Sequence, residues 1–180
     1  RIMIYRFLDD EAGQVLAEAR DSSAASFLNH HFPATDIPRQ ARALYLRNPV
    51  RVIPDSHYTP QPLRPFDPDE PPLDMSDAGL RSVSPIHLQY LRNMGVRASA
   101  SVSIIVDDAL WGLVACHSSA PQLMPYEIRV ACTTLARNLA RQLKAKADAE
   151  LYRERVRLRR LEDELIAHLP ADAALDEALA

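Results

Sequence analysis

From Pro125 to about Leu169 the apolar residues keep steps of three or four: Ile128, Cys132, Leu135, Leu139, Leu143, Ala147 and Leu151, then Leu158, Leu161, Leu165 and Leu169. That spacing belongs to one face of a helix. A helix of roughly 44 residues would reach about 65 Å at 1.5 Å per residue, more than one small domain can enclose. The stripe therefore predicts a coiled coil, or a helix that joins two domains. Its polar side is dense in arginine, at Arg153, Arg155, Arg157, Arg159 and Arg160. With partners such as Glu154 one turn away, these read as a solvated face and not as a nucleic-acid site. Pro170 stops the helix, and the last ten residues read as the start of a following domain.

A chain of 180 residues holds one domain, or one domain and a piece of another. Hydrophobic residues make up 47% and charged residues 25%, a soluble globular balance. The net charge of −3 gives no reason to expect nucleic acid as a partner. No apolar run reaches the roughly 20 residues that cross a bilayer. Cys116 and Cys132 make no disulfide framework and fit a reducing, cytoplasmic setting. The chain opens at Arg1 in strand-like sequence with no signal peptide ahead of it, so a fragment of a longer protein is expected.

Residues Arg1–Leu8 alternate as a strand, with Met3, Tyr5 and Phe7 on one face and Ile2 and Ile4 on the other. A turn at 9–13 leads to a second strand, Gln14–Arg20. Ser22–Asn29 reads as a short helix. Pro38–Arg47 reads as another, with Ala41, Leu44 and Tyr45 on one side, and Thr35 or Asp36 is placed to cap it. Val50–Ile53 is a short strand. Seven of the 14 prolines fall between 54 and 72, so residues 54–79 are a long irregular loop. Apolar residues within it (Tyr58, Leu63, Phe66, Leu73) argue against simple disorder.

Ser84–Gly95 is a punctuated helix: Ser84 at the cap, Pro85 in the first turn, Gly95 at the stop. His87, Tyr90, Leu91 and Met94 share one of its faces. Ala98–Val106 and Ala109–His117 form a hairpin about Asp107-Asp108, with Ser99, Ser101 and Ser103 on one side. Strands separated by short helices, then one long helix, predict an α/β (α+β) domain with a mainly antiparallel sheet.

The chain has four glycines and no phosphate-cradling loop, no Gly-x-Ser-x-Gly elbow and no metal-spaced Cys/His set. Cys116 and His117 are neighbours on a strand and face opposite sides, against a nucleophile pair. A hydrolase using Cys116 with a distant histidine is the weakest of the functional readings. What remains suits a flat, conjugated molecule bearing carboxylates. Arg51 and Arg81 carry planar forks that match a carboxylate. Ser99 and Ser101 add hydroxyls, and Met3, Tyr5, Phe32, Tyr90 and Met94 supply apolar walls. Each has a plainer reading as core packing, a surface ion pair or the wet face of a strand.

Residues 33–42, Pro-Ala-Thr-Asp-Ile-Pro-Arg-Gln-Ala-Arg, resemble the Pro-Ala-Ser-Asp-Ile-Pro signature of phytochromes, the photoreceptors that carry a bilin. Leu80–Val96 is similar to that family's chromophore-pocket segment, Leu110–His117 to the strand ending beside the outermost pyrrole ring, and Ile2–Phe7 to its opening strand. The resemblance implies a GAF chromophore-binding domain over 1–147, a linker helix over 148–169 and the start of a PHY domain over 170–180. It implies a red/far-red photoreceptor module that holds biliverdin and signals by bilin photoisomerisation to an output domain beyond this chain, commonly a histidine kinase.

The resemblance also assigns roles. The Asp36 backbone carbonyl and the His87 side chain would surround the pyrrole nitrogens. Arg51 and Arg81 would hold one propionate, and Ser84, Ser99 and Ser101 with His87 would lie near the other. Tyr5, Phe32, Tyr90 and His117 would surround the ring that turns. Met3, Ile37, Pro38, Tyr45 and Met94 complete the expected contacts. The Asp36 carboxylate would be free to meet an arginine of the next domain. Ile86 stands where plant-type members carry the attaching cysteine, so the covalent cysteine is expected outside this chain, near a preceding PAS domain that threads the 54–79 loop. Thr35 replaces the usual serine, and Ser118 the usual second histidine. Expected partners are the bilin, the flanking PAS and PHY domains and a second copy through the long helix, with no nucleic acid and no membrane. The alternative is a GAF module without light sensing, binding another small ligand or serving dimerisation.

Overall fold

Asp107 and Asp108 both take left-handed backbone angles, with φ of 50° and 59°. A two-residue turn of that hand matches the twist of the strands that it joins, and short acidic side chains tolerate it. It links β5 (Ala98–Val106) to β6 (Ala109–Ser118), the hairpin read from the sequence. The computed structural model of the protein describes residues 1–63, 69, 71, 73–79 and 81–168. The expectations for Phe66, Leu80, Leu169 and residues 170–180 lie outside them. With β1 (Ile2–Phe7), β2 (Gly13–Ala19), β3 (His31–Phe32) and β4 (Val50–Ile53), the hairpin completes one antiparallel sheet in the order β3-β2-β1-β6-β5-β4.

Alternation along β1 sends Met3 and Tyr5 inward, where they meet Val15 and Leu113 in one core cluster. Gly13 makes this packing possible. A Cβ there would lie 1.7 Å from Tyr5 Cζ, so the phenol fills the space that any side chain would need. A second cluster joins Ile53, Leu88, Leu91 and Val96, with Tyr58, Val83 and Met94 packed against it.

The helices follow their punctuation with specific departures. Ser22–Asn29 is not helical. Asp21 instead accepts the Ser23 amide at 2.9 Å, and Glu18 accepts the Ser26 hydroxyl and the Phe27 amide. Short polar side chains offered the backbone partners that a helix would have supplied. Strand β3 is too short to show a period and exists only through its pairing with Gly13 and Gln14. Helix α1 (Arg39–Arg47) begins after a 3-10 turn at Ala34–Asp36, with Pro38 as its cap. Neither Thr35 nor Asp36 caps it, because the Asp36 carboxylate is used elsewhere. Helix α2 (Pro85–Asn93) has Ser84 at its N-cap position without a side-chain bond, and Gly95 just past its end at φ 68°. Its expected single face is divided: Leu91 and Met94 go with Leu88 to the core, and His87 and Tyr90 to the cavity described below.

The described part of the proline-rich loop is tied down at both ends. The Asp55 carboxylate pairs with the Arg97 guanidinium through two bonds of 2.9 and 2.7 Å, and the fully buried Ser56 hydroxyl donates to the Val96 carbonyl. Further on, Arg47 and Asn48 at the end of α1 bond Asp77 and the Ser76 carbonyl.

Helix α3 runs from Tyr126 to His168, 43 residues. The chain divides into two compact units, residues 1–140 and residues from 141 on. In the first, α3 buries Ala136 and Ala140. In the second, Leu151, Leu158, Leu161 and Leu165 are exposed, and the polar side carries pairs such as Lys144–Asp148 and Arg157–Glu154. No described helix is long and apolar enough to cross a membrane.

Candidate functional site

The 3-10 turn and α1 form one wall of a cavity of about 770 Å³. Residues Arg81–Ser84 and α2 form the opposite wall, and β4 and β5 form the floor. Eleven of the residues expected from the sequence meet there: Asp36, Ile37, Pro38, Tyr45, Arg51, Arg81, Ser84, His87, Tyr90, Ser99 and Ser101. They come from five separate stretches of chain. Antiparallel pairing explains the floor, since Arg51 stands directly opposite Ser101 and Ile53 opposite Ser99.

The remaining five are not among the residues that line it. Met3 and Tyr5 are 5% and 8% exposed in the core, and Phe32 packs against them, its ring 6.0 Å from that of Tyr5. Met94 packs into the second cluster. His117 is opposite Ser99 in the β5–β6 register, one strand further in. Its Nδ1 is buried without a hydrogen-bond partner among the described residues. Sequence reading missed nine lining residues, among them Gln40, Ala41, Leu44, Val83 and Ile86. The face of Ala41, Leu44 and Tyr45 was legible as an apolar side of α1, but its direction was not.

Charge is the distinctive property of the site. Arg51 Nη2 donates to the carbonyls of Arg81 and Ser82, at 3.0 and 3.3 Å, while its Nη1 is buried with no hydrogen-bond partner among the described residues. Arg81 donates to the Ala78 carbonyl at 2.9 Å. Neither arginine meets a carboxylate among the described residues. Burial, and then the neighbouring Arg81 charge, holds the Arg51 pKa below the usual guanidinium value. Burial and then Arg51 lower that of His87. Burial above all, with the Arg1 charge next, brings His117 down to about 4. Both imidazoles are therefore neutral at pH 7.

Across the cavity the Tyr90 hydroxyl donates to Asp36 Oδ2 at 3.0 Å, so this carboxylate is not unengaged as expected. Burial, with that bond next, raises the Tyr90 pKa to about 12. The Tyr90 ring lies nearly parallel to His87, with centroids 6.2 Å apart. Two unneutralised cations, neutral imidazoles, hydroxyls and apolar walls together suit a large, flat, acidic ligand. Cys116, by contrast, has its pKa raised, mainly by burial, which leaves it a poor nucleophile.

This sheet, flanked by helices, carries its cavity across β4 and β5. The chain belongs to the GAF domain family, whose model matches residues 1–143. Within that family its likeness is to the phytochromes. It is 41% identical over 181 residues to cyanobacterial phytochrome B of Nostoc sp., covering 99% of this chain and 24% of that one. It is 49% identical over 147 residues to a bacteriophytochrome of Xanthomonas campestris pv. campestris, covering 81% and 23%. Among solved structures, the chromophore-binding domain of an unusual bacteriophytochrome from R. palustris matches at TM-score 0.79 and 49% identity, over 83% of this chain and 50% of that one. A longer structure of bacteriophytochrome from R. palustris matches at TM-score 0.87 and 46% identity, over 99% and 36%. The chain thus spans about a quarter of the length of these curated relatives. The GAF fold expected from the sequence is the fold observed.

Proposed function

We propose that this chain is the light-sensing module of a bacteriophytochrome, and that its cavity holds biliverdin. The observation that carries the reading is the pair Arg51 and Arg81, half-buried and without a carboxylate among the described residues. Buried cations are costly unless an anion meets them, and a bilin propionate is such an anion. The neutral His87 and the Asp36 backbone would meet the pyrrole N–H groups, and Ser84, Ser99 and Ser101 the second propionate. The aromatic residues Tyr5, Phe32 and Tyr90, with His117, would surround the ring that moves. When bound, a bilin supplies a double bond that light isomerises. The chain's part is to hold its carboxylates, stabilise its charged nitrogens, exclude water and give one ring two alternative sets of contacts.

Residues 1–147 would form the chromophore-binding domain, 148–169 a linker helix that pairs with that of a second copy, and 170–180 the start of a PHY domain. A cysteine in a preceding PAS domain would attach the pigment, in a cytoplasmic protein with a downstream output domain. The test is one spectrum. Mixing the chain with biliverdin should yield a sharpened red band that red light bleaches. An unchanged free-pigment spectrum would end the reading.

A further inference from the structure

Arg42 closes the signature decapeptide, and none of the roles above uses it. Its Nε donates to the Ile37 carbonyl at 2.8 Å, and its Nη2 to the carbonyls of Glu11 and Ala34, at 2.5 and 3.5 Å. The guanidinium also lies 4.4 Å from the centre of the Phe7 ring. One side chain of α1 thus ties the 3-10 turn and the residue after it, the β1–β2 turn and the end of β1. The rigid fork of arginine permits this, while a lysine ammonium would reach fewer of these groups at once.

The carbonyls that Arg42 takes flank Asp36 on both sides. No described hydrogen bond falls on the Asp36 carbonyl itself, and Asp36 lines the cavity. The Asp36 side chain is held independently by Tyr90. We infer that Arg42 is the positioning residue of this wall: by occupying the Ala34 and Ile37 carbonyls, it presents the Asp36 carbonyl as the acceptor for the ligand's N–H groups. This deepens the bilin reading and rests on it for the identity of the ligand.

The test therefore has an arm without pigment. In hydrogen–deuterium exchange of the free protein, Arg42→Met should speed the Asp36 and Ile37 amides about tenfold or more, with the β5–β6 hairpin unchanged. With biliverdin added, pigment should still co-elute with Arg42→Met. The pH midpoint of its bound absorbance should drop by about one unit, as expected for loss of an acceptor to the charged form. Arg42→Lys, which keeps the charge over Phe7, should not restore that midpoint. Wild-type exchange at Asp36 and Ile37 in Arg42→Met would overturn the inference, and so would a wild-type midpoint in either variant. Faster exchange in a protein whose wild type binds no biliverdin would leave Arg42 as the positioning residue and reject the pigment.

Discussion

Tyr90 on α2 and Asp36 in the 3-10 turn are 54 residues apart in sequence, and a 3.0 Å hydrogen bond joins them across the cavity. The bond links the two walls directly, in addition to the ties from Arg47 and Asn48 to Asp77 and Ser76. It also fixes which face of α2 looks into the cavity, because Leu88 and Leu91 on its other side are locked in the core.

Removing that bond tests its contribution. Tyr90→Phe should lower stability by about 1 kcal/mol, the usual net value of such a bond. Urea denaturation of this variant, of Asp36→Asn and of the double variant gives the coupling directly. A double variant whose loss equals the sum of the two single losses would show that the residues are independent.

Arg51 should separate stability from binding. Arg51→Met removes a guanidinium that is partly buried with one unpartnered nitrogen, so the free protein should be as stable as wild type or more so. Biliverdin affinity should fall at least tenfold, as expected for the loss of a charge-assisted pair. Thermal melting checks the first statement and absorbance titration the second. A free protein clearly destabilised by the change would count against the arginine as an unneutralised cation.

Gly13→Ala should be costly although it adds one methyl group. The new Cβ would stand 1.7 Å from Tyr5 Cζ, so the ring must move within a filled core. Overpacking of this kind costs about 1–3 kcal/mol. Adding Tyr5→Ala should recover part of the clash, seen as a double loss smaller than the sum of the single losses in denaturant unfolding.

His117 sets a pH dependence. Its folded pKa of about 4 is below the ordinary 6.5, so the unfolded chain binds its proton more readily. Its contribution is fully present above pH 6.5 and is lost as pH falls towards 4. Over that window the slope from this one group approaches about 1.4 kcal/mol per pH unit. Chemical denaturation between pH 7 and pH 4 should show His117→Gln with a flatter profile than wild type. Parallel profiles would remove His117 from the account.

The local signals were legible where short-range chemistry decides structure. Asp107-Asp108 between alternating runs marked the hairpin, Pro85 and Gly95 bounded α2, and the leucine spacing marked α3. They misled at Ser22–Asn29, where Glu18 from a neighbouring strand recruited the segment's donors. They were silent on β3, which is two residues long and owes its form to a partner strand.

The order of residue types along the chain was enough to determine an antiparallel sheet, the two short helices α1 and α2 and one long helix, though it also called for a helix at Ser22–Asn29 that does not form, and to mark the arginines, the serines and His87 that gather round the cavity. Periodicity reports which residues share a face, because backbone geometry repeats locally. It carries no information on what that face meets. Only the tertiary structure decided that Tyr5 and Met3 lie in the core while Tyr90 lines the cavity, that Asp36 is engaged, and that Arg42 braces the turn. Those outcomes depend on strand register and on side chains many residues apart competing for the same volume and the same hydrogen-bond partners.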